Sequence, residues 1–254
     1  IEIYGIRPII ESIESSKDIS RVYLIKSNYH KSNLFRSLIS LLENNNIKYS
    51  FVPKEKFKKY NNKNHQGAVA VLSPIKLLSI EELLSVTFDK KSPKTYVLLD
   101  GITDARNFGA IIRTAVASSV DGIVIPKNNS APVNSDVVKT SSGSVFKMPI
   151  AIVNNIKDAI LHLNSLEINI ISLSEKGENT IYDYNFKEST AIIMGSEEKG
   201  ISKGVLSLSN EILKIPMNSK IDSLNVSSAF SVVAFEIIRP VSYTHLTLPT
   251  SVLV

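Results

Sequence analysis

Three short segments of the chain gather the residue types that hold ligands and move protons. The first, Leu98-Leu-Asp-Gly-Ile-Thr-Asp-Ala-Arg-Asn-Phe-Gly-Ala-Ile-Ile-Arg113, runs from an apolar stretch through a polar turn into an apolar-periodic one. Asn107 falls near the expected start of a helix, where its side chain can accept backbone N–H bonds. Gly109 leaves room for a neighbouring backbone. Arg113 stands in an otherwise apolar helical stretch, a position from which its head could also snorkel to water. The second segment, Ile192-Ile-Met-Gly-Ser-Glu-Glu-Lys-Gly-Ile201, ends an apolar strand at Met194 and Gly195 and continues with Glu197 and Glu198. An ordinary turn with two solvated carboxylates has the same spacing. The third, Leu213-Lys-Ile-Pro-Met-Asn-Ser-Lys-Ile-Asp-Ser-Leu-Asn-Val-Ser227, breaks a strand at Pro216 and enters a helix through Ser223, Leu224, Asn225 and Ser227. Hydroxyls and an amide at a helix N-terminus suit a polar or anionic group, although capping needs only one of them. Leu224 between two polar residues is suited to lining a pocket.

Each segment follows a predicted strand, and open α/β sheets place ligands at the carboxyl ends of their strands. No Walker loop, GxGxxG fingerprint or GxSxG elbow is present. From residue types alone the reading stops at an α/β ligand-binding domain.

The elements that must position these segments alternate. Strands are expected at Tyr96–Leu99, Gly122–Pro126, Pro149–Val153, Ile168–Leu173, Ala191–Met194 and Ile212–Ile215. Helices are expected at about 107–118, 154–166, 202–209 and 226–239. Ile- and Val-rich strands alternating with helices argue for a largely parallel sheet covered on both faces. Upstream, Arg21–Lys26, Lys48–Val52 and Ala68–Leu72 read as short strands, and Ser32–Glu43 as an amphipathic helix ended by Asn44–Asn46. Together they predict a small mixed α/β module. A helix at Ser79–Val86 and a polar, Pro-containing stretch at 89–94 mark a boundary. The expected division is a first domain at 1–76, a linker at 77–94 and a second domain at 95–240.

A length of 254 residues suits two domains, and 43% hydrophobic against 21% charged residues permits a sizeable core. The net charge of +5 mildly favours a polyanionic partner. Its distribution says more: residues 54–63 hold five lysines and two aromatics in ten positions. Lys56, Lys58 and Lys59, with Arg106, are the expected contacts to such a polyanion, though a charge run is more often a solvated face. The absence of cysteine removes disulfides and thiol chemistry and fits a reducing cytoplasm. His30, His65, His162 and His245 are too widely spaced to suggest a metal site, so none is expected. No apolar run reaches the length of a membrane span and no signal peptide is recognisable, so no membrane association is expected. The chain begins at Ile1 rather than Met, which suggests a missing extreme N-terminus. Val241–Val254 contains no charged side chain and follows Arg239-Pro240, where a helix should stop. It reads as a translated cloning or sequencing-adapter scar, the alternative being an apolar tail that docks on a partner.

Taken together, "DGITDARNFGAIIRTA", "IIMGSEEKGI" and "IPMNSKIDSLNVSSAFSVVAFE" resemble the three signature motifs of the SpoU/TrmH class of SPOUT RNA methyltransferases, in the same order and at similar separations. "YGIRPIIESI" at Tyr4–Ile13 and "HQGAVA" at His65–Ala70 resemble the substrate-binding domain of the branch that methylates ribosomal RNA. The resemblance covers residues 2–239. It implies an α/β C-terminal domain with a deep trefoil knot, a small L30e/L7Ae-like N-terminal domain, and a homodimer formed through the knotted domain. The cofactor it implies is S-adenosylmethionine, and the reaction is methylation of a ribose 2′-hydroxyl, here most naturally of a guanosine in 23S ribosomal RNA. Gly195, Ile215 and Leu224, flanked by Met194 and Met217, would contact the cofactor. Asn107, Arg113, Glu197, Ser223, Asn225 and Ser227 would form the catalytic and RNA-facing set. Arg113 is a poor literal base, since a guanidinium keeps its proton above a pH of about 12. Holding the target phosphate and stabilising a developing alkoxide suits it better. Ser219, Phe230-Ser231 and Glu198 depart from the common Gly, Thr-Gly and Gly of the family. A transfer RNA target, or a non-catalytic RNA-binding assembly factor, remains an alternative reading.

Overall fold

The computed structural model describes residues 2–14, 17–26, 32–218 and 223–244, with side chains as far as 239. The chain divides into two compact units, one of residues 1–77 with Pro132–Lys139 and the other of Leu78–Ala131 with the residues from Thr140 onward.

In the first unit β1 (Glu2–Tyr4), α1 (Ile6–Glu14), β2 (Ile19–Ile25), α2 (Asn33–Asn44), β3 (Tyr49–Val52) and β4 (Ala68–Leu72) form a four-stranded sheet in the order β1-β4-β2-β3. β4 pairs antiparallel with β1 and β2, while β2 and β3 run parallel. Strand alternation sends Val22, Leu24, Ala68 and Ala70 to one face, where Ile6, Ile9 and Ile13 of α1 and Phe35, Leu38 and Leu42 of α2 cover them. On the opposite face Ile25 and Val69 meet Phe57 and Tyr60 of a 3-10 helix, Lys54–Tyr60.

The second unit contains α3 (Ile80–Thr87), β5 (Thr95–Asp100), α4 (Ala105–Ala117), β6 (Gly122–Pro126), a short α5 (Ser135–Thr140) whose residues 135–139 group with the first unit, β7 (Ile150–Val153), α6 (Ile156–Asn164), β8 (Asn169–Leu173), β9 (Asn179–Thr180), β10 (Thr190–Gly195), α7 (Lys203–Leu206), β11 (Glu211–Lys214) and α8 (Val226–Thr244). Its seven strands lie in the order β7-β6-β5-β10-β8-β11-β9, and every pairing is parallel. Both faces are covered, as the Ile- and Val-rich strands require. On one face Tyr96, Leu98, Val124, Ile170 and Ile193 pack with Ile80 and Leu83 of α3 and Ile160 and Leu163 of α6. On the other, α8 packs on α4 and β10. The α4–α8 contact includes a hydroxyl pair, Thr114 Oγ1 to Ser231 Oγ at 3.2 Å. Ser231, one of the two departures from the family pattern on α8, thereby joins that contact, and its neighbour Phe230 is fully buried.

Several sequence expectations need correction. The stretch 77–94 is not simply a connector: Leu78 bonds to Ile150 and Ile152 through its backbone, and Leu83 is fully buried in the second unit's core. Pro240 does not end α8, which continues to Thr244. A proline deletes one helical N–H bond and strains one turn, and fourteen residues of packed helix precede it here. The helix expected at 202–209 is a single turn, Lys203–Leu206, before β11 begins. β1, α5 and the two-residue β9 are too short to be read as elements from periodicity, whereas α1 carries a regular apolar stripe, Ile6, Ile9 and Ile13, that the sequence reading passes over. Ser219, His30, His245 and the rest of the tail lie outside the described residues. Among the described residues no helix is long and apolar enough to cross a membrane.

Candidate active site

The central pair of strands places two of the motif segments side by side. Gly195 at the end of β10 registers against Asp100 at the end of β5, so the loops after these strands leave the sheet as neighbours. The third segment follows β11, which is separated from β10 only by β8.

Asp104, not Asn107, caps α4: its Oδ1 accepts the backbone N–H groups of Arg106 at 2.7 Å and Asn107 at 2.9 Å. The helix therefore starts two residues earlier than the apolar periodicity suggests. This releases the Asn107 side chain from capping. Its Nδ2 donates to Glu197 Oε1 at 3.0 Å, and its Oδ1 accepts from Asn225 Nδ2 at 3.0 Å. Asn225 Nδ2 also donates to Glu197 Oε1, at 2.6 Å. Asn225 Oδ1 accepts from the Ser227 backbone N–H at 2.9 Å and from Ser227 Oγ at 2.6 Å, which secures the start of α8. Asn107, Glu197 and Asn225, one from each segment, thus close a triangle.

The loop carrying Glu197 is tightly closed. Ser196 and Gly200 exchange backbone hydrogen bonds at 3.2 and 2.9 Å, and Ser196 Oγ accepts the Lys199 N–H at 3.1 Å. Asp100 Oδ2 fixes the far side by accepting the Ser202 N–H at 3.0 Å. A Cβ on Gly195 would overlap the carbonyl carbon of Gly200 and the nitrogen of Ile201, so only glycine permits this closure. Gly109 serves another close approach, since a Cβ there would sit 2.6 Å from Thr140 Cβ and 3.1 Å from Ser141 N.

Two cavities flank the triangle. The larger, about 710 Å3, is lined by Met194, Gly195, Ile215, Met217 and Leu224, all five residues expected to hold the cofactor, and by Ser223, Glu197 and Asn225. Leu224 is 40% exposed, so its side chain is open to a ligand in the cavity. The volume is within the roughly 300–1,000 Å3 usual for small-molecule sites. Among the described residues Glu175, Glu197 and Glu198 line it against one cation, Lys199. That balance suits a positively charged ligand with an apolar body and disfavours a phosphorylated one. S-adenosylmethionine, a sulfonium with a flat adenine, fits the lining. The smaller cavity, about 490 Å3, lies on the β5–α4 side of the same loop and is lined by Asp104, Asn107 and Glu197 among others. Among the described residues no group of three or more His, Asp or Glu is arranged to hold a metal.

Arg113 is not brought into this arrangement. It is exposed on α4, lines neither cavity, and makes no hydrogen bond or ion pair with the described residues. Arg106, also exposed, lies seven residues before it and hence on nearly the same helix face. In the first unit Lys56 and Lys58 are exposed on the 3-10 helix, whereas Lys59 is occupied: its Nζ lies 3.3 Å from Glu2 Oε1 and 4.5 Å from the Tyr60 ring centroid. The residues that sequence reasoning missed are Asp104 and Asp100. An Asp three residues before Asn107 is itself a capping signal that could have found the first.

The sequence of the second unit decides the family. Residues 94–235 match the SpoU rRNA methylase family, and residues 3–78 match the family of RNA 2′-O ribose methyltransferase substrate-binding domains. The chain belongs to the SpoU rRNA methylase family. It is therefore an RNA methyltransferase of the SpoU/TrmH class, whose cofactor is S-adenosylmethionine. A protein of Mycoplasma pneumoniae, described as an uncharacterized tRNA/rRNA methyltransferase, is 33% identical over 92% of this chain and 95% of its own length. A Staphylococcus aureus protein assigned to the TrmH family of tRNA/rRNA methyltransferases is 31% identical over 93% of this chain and 95% of its own. The fold resembles that of the SpoU methyltransferase AviRb from Streptomyces viridochromogenes, solved with AdoMet, with a TM-score of 0.61 at 21% identity over 95% of this chain and 90% of that one. An AdoMet-bound rRNA methyltransferase from Sinorhizobium meliloti gives a TM-score of 0.61 at 21% identity over 97% and 88%.

Proposed function

We propose that this SpoU-family protein methylates the ribose 2′-hydroxyl of a guanosine in 23S ribosomal RNA. The carrying observation is the triangle of Asn107, Glu197 and Asn225 standing between two cavities. Both amide donations fall on Glu197 Oε1. The carboxylate is held in one orientation while no described residue takes up the acceptor capacity of Oε2. Placed between donor and acceptor pockets, Oε2 would accept the hydrogen bond of the ribose hydroxyl and fix the line along which its oxygen attacks.

S-adenosylmethionine supplies a methyl group on a positively charged sulfur. Gly195, Ile215 and Leu224 would hold it in the larger cavity, with Met194 and Met217 against its apolar parts. Ser227 keeps the start of α8 in place through Asn225, and Ser223 would face the substrate from the lining of the larger cavity. Arg113, exposed on α4 and outside the cavities, would hold an RNA phosphate rather than touch the reacting oxygen. The 1–76 domain would grip the RNA, with Lys56 and Lys58 toward phosphates and Arg106 adding a contact from α4. The trefoil knot and a homodimer through the knotted domain belong to the same reading. A chain without cysteine suits the cytoplasm, where ribosomal RNA is made in bacteria.

The test is incubation with S-adenosylmethionine and an unmodified 23S transcript, with the product mapped. A 2′-O-methylguanosine at one position supports the proposal. Methylation of transfer RNA alone would transfer the assignment to that substrate, and methylation of a base rather than a ribose would refute it.

A further inference from the structure

The smaller cavity carries an inference that rests on the ribose-methylating reading and deepens it. Among the described residues Asp100, Asp104, Glu197 and Glu198 line it with a single cation, Lys199. Such a lining repels phosphate. Yet Asn107 and Glu197 belong to the triangle, so some part of a polyanionic substrate has to come here. The part of a nucleotide that can enter an acidic cavity is its uncharged base. We infer that this cavity seats the base of the acceptor nucleotide, drawn out of its stack, and selects it by its N–H donors, with Asp104 and Glu198 as the accepting groups.

Each acceptor is available. Both capping bonds of Asp104 fall on Oδ1, and among the described residues none bonds to Oδ2. Glu198 is exposed and makes no bond with the described residues. Asn129 adds an amide from the loop after β6. The cavity's 490 Å3 is within the usual range for a small ligand. Carboxylates accept and cannot donate when ionised. Guanine presents its ring N1–H and its exocyclic amine side by side, which matches them. Uracil presents one N–H between two carbonyl oxygens, which the same carboxylates repel. A base read on this edge has to be unpaired, as in other enzymes that act on extruded nucleotides.

The test uses a short transcript containing the mapped acceptor, made with guanosine or with inosine there, since inosine lacks only the exocyclic amine. Wild-type kcat/KM should fall about ten- to a hundredfold from guanosine to inosine, the usual weight of a hydrogen bond to a charged group. Glu198→Gln and Asp104→Asn should each lose activity on guanosine and narrow that ratio to a few-fold. Asn caps a helix about as well as Asp, and Asp104 does not line the larger cavity. Asp104→Asn should therefore keep its melting temperature and its affinity for S-adenosylmethionine. Asn129→Gly, which tolerates the positive φ of 57° at that position, tests the rim without strain. It should raise KM for the transcript and leave kcat nearly unchanged. An unchanged guanosine-to-inosine ratio in both acidic variants, or a mapped uridine acceptor, overturns the inference while leaving methyl transfer intact. No transfer to any RNA by the wild type would overturn the functional reading first, and this inference with it.

Discussion

The two units would meet the same polymer with opposite designs. In the second, three side chains drawn from positions up to 118 residues apart are locked to one another at 2.6–3.0 Å. In the first, Lys56 and Lys58 stand exposed on a 3-10 helix whose aromatic residues, Phe57 and Tyr60, turn inward as anchors. Chemistry at one oxygen atom needs groups fixed to a fraction of an ångström. Attraction to a phosphate backbone needs only charge at the right distance, which solvated lysines supply. The contrast shows where substitutions should act sharply and where they should act weakly and with salt.

The largest effect is expected at the triangle. Glu197→Gln should lower single-turnover methyl transfer by about a hundred- to ten-thousandfold, the range for a positioned acid–base group. Affinity for S-adenosylmethionine should change far less. Arg113→Ala should reduce kcat/KM for RNA by about ten- to a hundredfold, the weight of one charged hydrogen bond to a phosphate, again with cofactor binding nearly intact. Normal turnover in that variant would remove Arg113 from the reaction. Gly195→Ala should act on both structure and binding. The added Cβ forces the Ser196–Gly200 loop outward, so the melting temperature should drop by the equivalent of about 1–3 kcal/mol and calorimetry should show weakened cofactor binding.

The first unit should respond differently. Replacing Lys56 and Lys58 together by Gln should leave turnover at saturating RNA nearly unchanged. The slope of log affinity against log salt should become shallower by about 0.7–0.9 for each phosphate that is no longer neutralised. An unchanged slope would take both lysines out of the RNA site. Lys59 should behave unlike its neighbours because it is engaged with Glu2, whose carboxyl also receives the Tyr60 hydroxyl at 2.7 Å and the Tyr4 hydroxyl at 3.1 Å. Burial pushes the Glu2 carboxyl up, but Tyr60, Tyr4 and Lys59 together outweigh it and hold it below the ordinary glutamate value of 4.5. A carboxyl lowered by folding stabilises the fold above its unfolded value, and that contribution disappears as pH falls through the lowered one. Glu2→Gln should therefore cost a little stability at neutral pH and nothing in strong acid, measurable by denaturant melts at pH 7 and pH 3.

The same contrast separates what the sequence discloses from what it withholds. Periodicity locates β4 and β6 at their observed bounds, because Ala68–Leu72 and Gly122–Pro126 are continuous apolar runs between turn formers. The motif residues are legible as a set. Their arrangement is not: the contact of Asn107 with Asn225 depends on strand order, and no local pattern encodes that β10 lies between β5 and β8. Asn107 resembles a cap because the apolar stripe begins beside it, while the true cap, Asp104, precedes the stripe by a turn. The linker misleads for the reverse reason. Polar Asp89–Lys94 hides the fact that Ile80 and Leu83 just before it are core residues. Aromatics among lysines suggest outward stacking on bases, but Phe57 and Tyr60 are only 2% and 6% exposed.

The most direct test is transfer of labelled methyl from S-adenosylmethionine to an unmodified 23S transcript by wild type and Glu197→Gln in parallel, with the labelled position mapped. The account predicts label on one guanosine ribose 2′-oxygen with the wild type and its near-complete loss in Glu197→Gln despite retained cofactor binding. Label on a base, or equal transfer by both proteins, would contradict it.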